Sequence, residues 1–405
     1  MMMTTTQTAR DVIGLDNAHV LQTYRRAPVV FERGNGCRLY DATGRAYLDF
    51  ISGIGVSSLG HAHPRLSAAI AAQAATLLHT SNLYYHPLQS EVASRLTALS
   101  GLPRTFFCNS GTEAVEACLK FARRYWHAQG SPRSEIVALE RGFHGRTMGS
   151  LSVTWDDHYR APFGPLLEGV TFVSQNDPDA LRRAVSSRTA AVIAEPLQGE
   201  GGVRPLEQAM AEAITDACEA TGALFIADEV QCGLGRTGVP FHSATLGLRP
   251  DLMALGKALG GGVPVGAALF SDRVAATAAF GDHGSTYGGN LLACRAAMVF
   301  LDELTSGLLE HVASTGPLIR AALERVAARH PMIIGIRGAG VIWGVELDRP
   351  AAPVVEAALD RGLLINRTAD TVIRMLPPYI VDSADVDQMA VMFDAALGAV
   401  TAEEK

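Results

Sequence analysis

The chain has 405 residues, 48% of them hydrophobic and 19% charged, with a formal net charge of −7. That length and apolar share suit an enzyme-sized protein with a large buried core. The acidic balance excludes a nucleic-acid binder, which needs clustered basic side chains, and no apolar run approaches the roughly 18 residues of a membrane span.

The start, Met1–Arg10, is polar and Thr-rich, lacks an apolar h-region and reads as a flexible arm; a mitochondrial transit sequence would carry more than its one arginine. Up to about residue 60 the pattern is one of short strands and turns, with Gly34-Asn-Gly and Asp41-Ala-Thr-Gly as turn signals. Between about residues 101 and 270, short apolar runs alternate with helical stretches, the pattern of a parallel sheet covered on both faces. Expected strands are Thr105–Cys108, Ile136–Leu139, Ala190–Ala194, Leu224–Ala227, Leu252–Leu255 and Val265–Phe270. Several of them end directly in polar or Gly-rich segments, and ligands of open α/β sheets bind beyond the carboxyl ends of the strands. The last hundred residues mix helix and strand, with breaks at Gly338-Ala-Gly340 and Met375-Leu-Pro-Pro378. A final helix is expected from about Ala384, with Val386, Met389, Phe393 and Leu397 as its apolar stripe and Ser383 as its cap. The six cysteines, at 37, 108, 118, 218, 232 and 294, form no CxxC pair, which predicts free thiols, buried at Cys108 and Cys118, in a reduced cytoplasm.

The chemistry concentrates at the strand ends. Asp228 closes the run Gly222-Ala-Leu-Phe-Ile-Ala, and Lys257 follows in Leu255-Gly256-Lys257-Ala258-Leu259. Pyridoxal phosphate (PLP) needs a lysine amine to hold its aldehyde and an acid against its pyridine nitrogen. Two neighbouring strand ends supply both, although either residue alone reads as a turn carboxylate or a surface lysine. Ser110-Gly111-Thr112 precedes a helix through Val115, Leu119 and Ala122, where free amides suit a phosphate or a simple N-cap. Phe143 could stack on a flat ring or belong to the core. Arg146 offers a planar fork to a carboxylate, or a surface salt bridge. Gly284-Ser285-Thr286-Tyr287-Gly288-Gly289-Asn290 reads as a loop or as a second phosphate contact. Arg374 sits in the apolar run Val372–Leu376 and needs a partner, either an anionic substrate or a carboxylate such as Glu200. No metal centre is expected.

Taken in order, Asn109-Ser-Gly-Thr-Glu113, Phe143-His-Gly-Arg146, Glu195-Pro-Leu-Gln-Gly-Glu200, Asp228-Glu-Val-Gln231, Gly256-Lys257 and Ser285-Thr-Tyr-Gly-Gly-Asn290 resemble the class III (ω-amino acid) aminotransferases of PLP fold type I. The resemblance runs from about Asn17 to the C-terminus and, within the class, is greatest to acetylornithine aminotransferases. It implies an α/β, aspartate aminotransferase-like fold: a large domain over residues 61–300 with a mainly parallel central sheet, and a small α+β domain from residues 1–60 and 301–405. It further implies that Lys257 holds PLP and shuttles the proton, Asp228 pairs with the ring nitrogen, and Phe143 and Val230 bracket the ring. Gln231 would reach the phenolic oxygen and Glu229 would belong to the same cofactor segment. Ser110, Gly111 and Thr112 would hold the phosphate, joined by Thr286 from a second subunit, so that a homodimer with shared sites is expected. For substrates, Arg374 would bind the α-carboxylate of glutamate and 2-oxoglutarate, with Glu200 as its alternate partner and Glu195 nearby. Arg146, Ser285 and Tyr24 would bind the α-carboxylate of the longer donor. Two positions depart from relatives: Val115 stands where many carry Asn, and Ile54 where ornithine aminotransferases carry Tyr. The second speaks against free ornithine but leaves succinylornithine, succinyldiaminopimelate and 4-aminobutyrate as alternative donors.

Overall fold

The structure is a computed structural model that describes residues 8–403. Its centre is a seven-stranded sheet with the spatial order Arg104–Cys108, Gly266–Phe270, Leu252–Leu255, Leu224–Asp228, Thr189–Ala194, Glu135–Leu139 and Val170–Val173. Gly266–Phe270 runs antiparallel to both neighbours, and the other pairings are parallel. Thr189–Ala194, Leu224–Asp228 and Leu252–Leu255 are buried along their whole length, as continuous apolar runs require when both faces are covered.

Side chains alternate between the faces with a period of two. Ile136, Ala138, Ile193 and Ile226 pack toward Val115, Cys118 and Leu119 of the helix Gly111–Ala128. Val137, Leu139, Val192 and Phe225 pack toward Met210 and Ile214 of the helix Gln208–Thr221. Each large apolar side chain so withdrawn from water contributes about 1.5–3 kcal/mol. These two layers hold the sheet rigid, so the loops leaving its carboxyl edge start from fixed points. Val115 is fully buried, so the apolar residue there serves packing.

The two ends of the chain meet. Ala46–Asp49 pairs in parallel with Leu363–Leu364, in one sheet with Phe31–Asn35 and Arg38–Asp41. A second four-stranded sheet takes Ile333–Ala339, Ile342–Leu347, Val372–Met375 and Asn366–Thr368, and its Val372–Met375 strand carries Arg374 toward the edge of the main sheet.

Three local expectations change. The arm expected over Met1–Arg10 lies partly on residues 1–7, outside the described residues. From Thr8 onward the chain instead forms the helix Ala9–His19, started by a capping box between Thr8 and Asp11. The final helix spans Ser383–Glu403, and its cap is Asp382, whose Oδ1 accepts from the Asp385 amide at 2.9 Å, in place of Ser383. Val386, Met389, Phe393 and Leu397 are buried as expected. The strand Val170–Val173 was not anticipated: it is a half-exposed sheet edge whose mixed burial gives a weak pattern. All six cysteines are free, and Cys108 and Cys118 are buried. Among the described residues no helix is long and apolar enough to cross a membrane.

Candidate active site

Asp228 ends its strand at the carboxyl edge, 3% exposed. Its Oδ1 accepts from the Val230 amide at 3.1 Å, and its Oδ2 lies 2.7 Å from Nδ1 of His144. Burial disfavours the charged imidazole of His144, but the hydrogen bond and charge of Asp228 outweigh it, and the pKa is raised. The other ring nitrogen of His144 is buried without a partner.

Lys257 opens a short 3-10 turn just past the neighbouring strand, with a left-handed backbone at φ 41°. Gly256 precedes it, and a Cβ there would lie 3.1 Å from backbone atoms of Gly111. Only glycines let the lysine-bearing strand end and the helix Gly111–Ala128 approach this closely. Burial lowers the pKa of Lys257, opposed by the charges of Glu200, Asp228 and Glu195. More of the amine is therefore neutral, the form that attacks an aldehyde and takes up a proton.

Ser110 caps the helix, its Oγ accepting from the Glu113 amide at 3.3 Å. The amides of Gly111 and Thr112 find no acceptor among the described residues and sit at the positive end of an 18-residue helix. Thr112 Oγ1 accepts from the Arg146 and Thr147 amides at 3.2 and 3.3 Å, which ties the phosphate-type helix end to the loop bearing Phe143.

Glu195 links two loops. Its Oε1 accepts from the Phe143 amide at 2.8 Å and its Oε2 from the Gly199 amide at 3.1 Å, and burial pushes its pKa up to about 7. Next to Gly199 in the chain, Glu200 accepts from Nη1 of Arg374 at 2.5 Å. Arg374 also donates to Gln231 Oε1 and Asn366 Oδ1, both at 3.3 Å, and is 1% exposed. Burial raises the pKa of Glu200, but Arg374 more than compensates, so its carboxyl titrates below the ordinary range. Arg146, by contrast, is exposed, with its guanidinium 3.5 Å from the ring centre of Tyr159 and 5.4 Å from that of Phe143.

Ser110, Gly111, Thr112, Phe143, Arg146, Glu195, Glu200, Asp228, Val230, Gln231 and Lys257 line one cavity of about 280 Å³. Arg374 reaches it through Glu200 and Gln231. Glu229 does not line it: its carboxylate turns away to accept from the Ser243 and His242 amides at 2.6 and 3.1 Å, so its work is to pin a neighbouring turn. Ser285 is engaged with the Gly288 amide and the Asn109 side chain, while Thr286 and Tyr24 are exposed, and none of the three lines the cavity. His144, Tyr159 and Asn366 were assigned no role from sequence. His144 stood in the quoted Phe-His-Gly-Arg motif, but its pairing with Asp228 depends on two distant segments meeting.

A flat, phosphorylated pyridine aldehyde fits this donor set. Unpaired helix amides would receive the phosphate, a buried carboxylate the ring nitrogen and an amine of lowered pKa the aldehyde, and Phe143 and Val230 line the same cavity. A Cβ on Gly111 would close the cradle, meeting Val230 at 2.5 Å.

Comparison with known proteins agrees with this chemistry. A family model described as aminotransferase class-III matches residues 20–397. The chain is 43% identical to the acetylornithine aminotransferase of Methanocaldococcus jannaschii, covering 93% of this chain and 95% of that one. It is 46% identical to the acetylornithine aminotransferase of Gloeobacter violaceus, over 91% and 93%. Among solved structures it is similar to the ornithine aminotransferase of Toxoplasma gondii, with a TM-score of 0.94, 31% identity and 98% and 97% coverage. It is also similar to the N-acetylornithine aminotransferase of Stenotrophomonas maltophilia, with a TM-score of 0.83, 32% identity and 96% and 100% coverage.

Proposed function

We propose that this chain, which belongs to the class III aminotransferases, moves the δ-amino group of N2-acetyl-L-ornithine to 2-oxoglutarate, giving N-acetyl-L-glutamate 5-semialdehyde and L-glutamate for arginine biosynthesis. Its fold is PLP fold type I and its cofactor is pyridoxal phosphate. The observation that carries the donor reading is the pair of guanidiniums at different depths: Arg374, buried and neutralised by Glu200, and Arg146, open at the mouth. A reaction whose two substrates carry their α-carboxylates at different distances from the reacting nitrogen needs two such receptors.

When bound, PLP supplies the aldehyde that takes up the amino group and the ring that draws electrons from the amine-bearing carbon. The chain's residues do the rest. Gly111 and Thr112 would hold the phosphate through helix amides, Asp228 would pair with the ring nitrogen, Gln231 would reach the phenolic oxygen, and Phe143 and Val230 would bracket the ring. Lys257 Nζ holds the cofactor and moves the proton at the amine-bearing carbon. While the long donor occupies the site, Glu200 stays on Arg374, because a buried cation without its partner costs about 3–5 kcal/mol. When glutamate arrives, its carboxylate replaces that of Glu200.

A second copy of the chain completes the site in this reading. Thr286 joins the phosphate and Ser285 with Tyr24 the donor carboxylate from across an interface. Support comes from their position outside the chain's own cavity and from Leu83, Tyr84, Tyr85 and Phe280, large apolar side chains left exposed. We assign residues 61–300 to the large domain and the described parts of 1–60 and 301–405 to the small one, in keeping with the sheet shared by Ala46–Asp49 and Leu363–Leu364. The free thiols suit a cytoplasmic setting.

The test is kcat/KM for acetylornithine, ornithine, succinylornithine and 4-aminobutyrate with 2-oxoglutarate. Acetylornithine should lead ornithine and 4-aminobutyrate. If either of those two leads, the donor assignment fails while the class stands.

A further inference from the structure

Arg146 opens a run of exposed residues, Arg146-Thr147-Met148, set between the buried Gly145 and Gly149. Its guanidinium rests on the ring of Tyr159. Its backbone is steadied by a separate set of contacts that converge on the carboxylate of Glu116. Glu116 follows Thr112 by four residues on the helix Gly111–Ala128, so the two side chains leave the same face of that helix.

A single oxygen of Glu116 does the holding. Its Oε1 accepts from the Thr147 hydroxyl at 2.6 Å and from the Gly149 and Ser150 amides at 2.8 and 3.1 Å. Those two amides belong to the first turn of the short helix Met148–Ser152, whose cap residue, Thr147, makes no side-chain bond to them. Glu116 thus satisfies from another helix the donors that a cap would normally take. With its proton given to Glu116, the Thr147 hydroxyl can only accept in its contacts with Thr112 Oγ1 and Ser150 Oγ, at 3.0 and 2.9 Å. Thr112 Oγ1 in turn takes the Arg146 and Thr147 amides.

Packing leaves no slack at either end of the run. A Cβ on Gly145 would run into Thr112 Oγ1 and come within 2.5 Å of Ser150 Oγ, and one on Gly149 would run into the Glu116 carboxylate. Arg146 therefore stands at the start of a short arch whose two ends are fixed to the helix Gly111–Ala128. Glu116 itself does not line the catalytic cavity. A receptor exposed on a loop loses less freedom on binding when its backbone is already fixed.

We propose that Glu116 is a positioning residue for the amino donor: it fixes the backbone of Arg146 against the helix whose first amides would hold the cofactor phosphate, and so sets how far the donor's carboxylate sits from the reacting nitrogen. The inference rests on the donor reading above and adds to it a side chain outside the cavity.

The test is a double-mutant cycle on the cofactor-loaded enzyme, with each half-reaction followed separately at the cofactor's visible absorption. Glu116→Ala should raise the apparent Kd for acetylornithine roughly tenfold. The limiting rate and the glutamate half-reaction should hold to within about twofold. In an Arg146→Ala background the same change should add nothing, because the group it positions is gone. Glu116→Gln keeps an acceptor oxygen for all three donors and should behave as wild type. N2-acetyl-L-norvaline, the donor without its δ-amine, gives a readout free of turnover: its binding by calorimetry should weaken in Glu116→Ala and recover in Glu116→Gln. Should Glu116→Ala fail to fold, Thr147→Val removes one of the three bonds and carries the same cycle, with an expected change of about threefold. Losses that add in the Arg146→Ala background, that strike both half-reactions equally or that Glu116→Gln does not repair overturn the inference alone. An Arg146→Ala enzyme that handles acetylornithine as wild type does overturns the donor reading and this inference with it.

Discussion

The cofactor end of the site and its mouth are built in opposite ways. At the cofactor end, Asp228, His144, Glu195 and Arg374 are all at least nine-tenths buried, each is tied to another segment, and strands packed on both faces set their positions. At the mouth Arg146 is exposed, and Tyr24 and Thr286, outside the cavity, are exposed as well, all on loops or arms. The difference teaches that buried strand ends fix the groups lining the cavity, whereas Arg146 and Tyr24, assigned to the donor carboxylate, are left exposed.

The comparison breaks first at its rigid end. Lys257→Ala should abolish turnover by about 10⁴-fold or more, and the purified variant should lose the visible absorption of the yellow wild-type protein. Retained colour and rate would remove the lysine from its role. Next comes the open end. Mixing Lys257→Ala and Thr286→Ala chains under subunit exchange should restore part of the activity, because one hybrid site then has both residues. Hybrids shown to form yet inactive would mean that the phosphate site is built within one chain.

A smaller effect sharpens the contrast of the two guanidiniums. Arg374→Ala should depress the glutamate half-reaction roughly 10²-fold while sparing the donor half-reaction, and Arg146→Ala should do the reverse, as single-turnover rates would register. Equal losses in both halves would contradict the separation. The smallest effect concerns His144. Its raised pKa means that its pairing with Asp228 adds stability that is full below the ordinary value of 6.5 and is lost as pH climbs through the raised one. The difference in Tm between wild type and His144→Gln should therefore be greatest in mild acid and shrink with rising pH. A difference that does not change with pH would leave His144 as packing only.

Much of the rigid end was legible in the sequence, because long buried strands announce themselves as apolar runs and their ends as abrupt polar segments. Asp228, Lys257 and the Ser110–Thr112 helix start all came from that pattern. Glu229 shows the limit: it sits between two cavity residues, yet the turn after Asp228 rotates it toward Ser243, and no spacing rule reveals which of three consecutive side chains faces inward. His144 shows another. Its neighbours in the chain suggested a loop, and only the meeting of that loop with a strand end more than eighty residues away makes it the partner of a carboxylate. The helix Ala9–His19 was missed because it buries nothing and so has no apolar stripe to detect.

The carboxylate of Glu195 joins the amide of Phe143 to that of Gly199, one residue from Glu200. Phe143, proposed to wall the cofactor, and Glu200, proposed to trade places with incoming glutamate, thus share a single suspension point. If acceptor binding changes the affinity for the cofactor through this link, the cofactor changes the affinity for the acceptor by the same factor. For anyone redirecting this scaffold to a new acceptor, changes around Gly199–Gly202 would have to be screened for cofactor retention as well as for the new rate, since the protein has not separated the two traits.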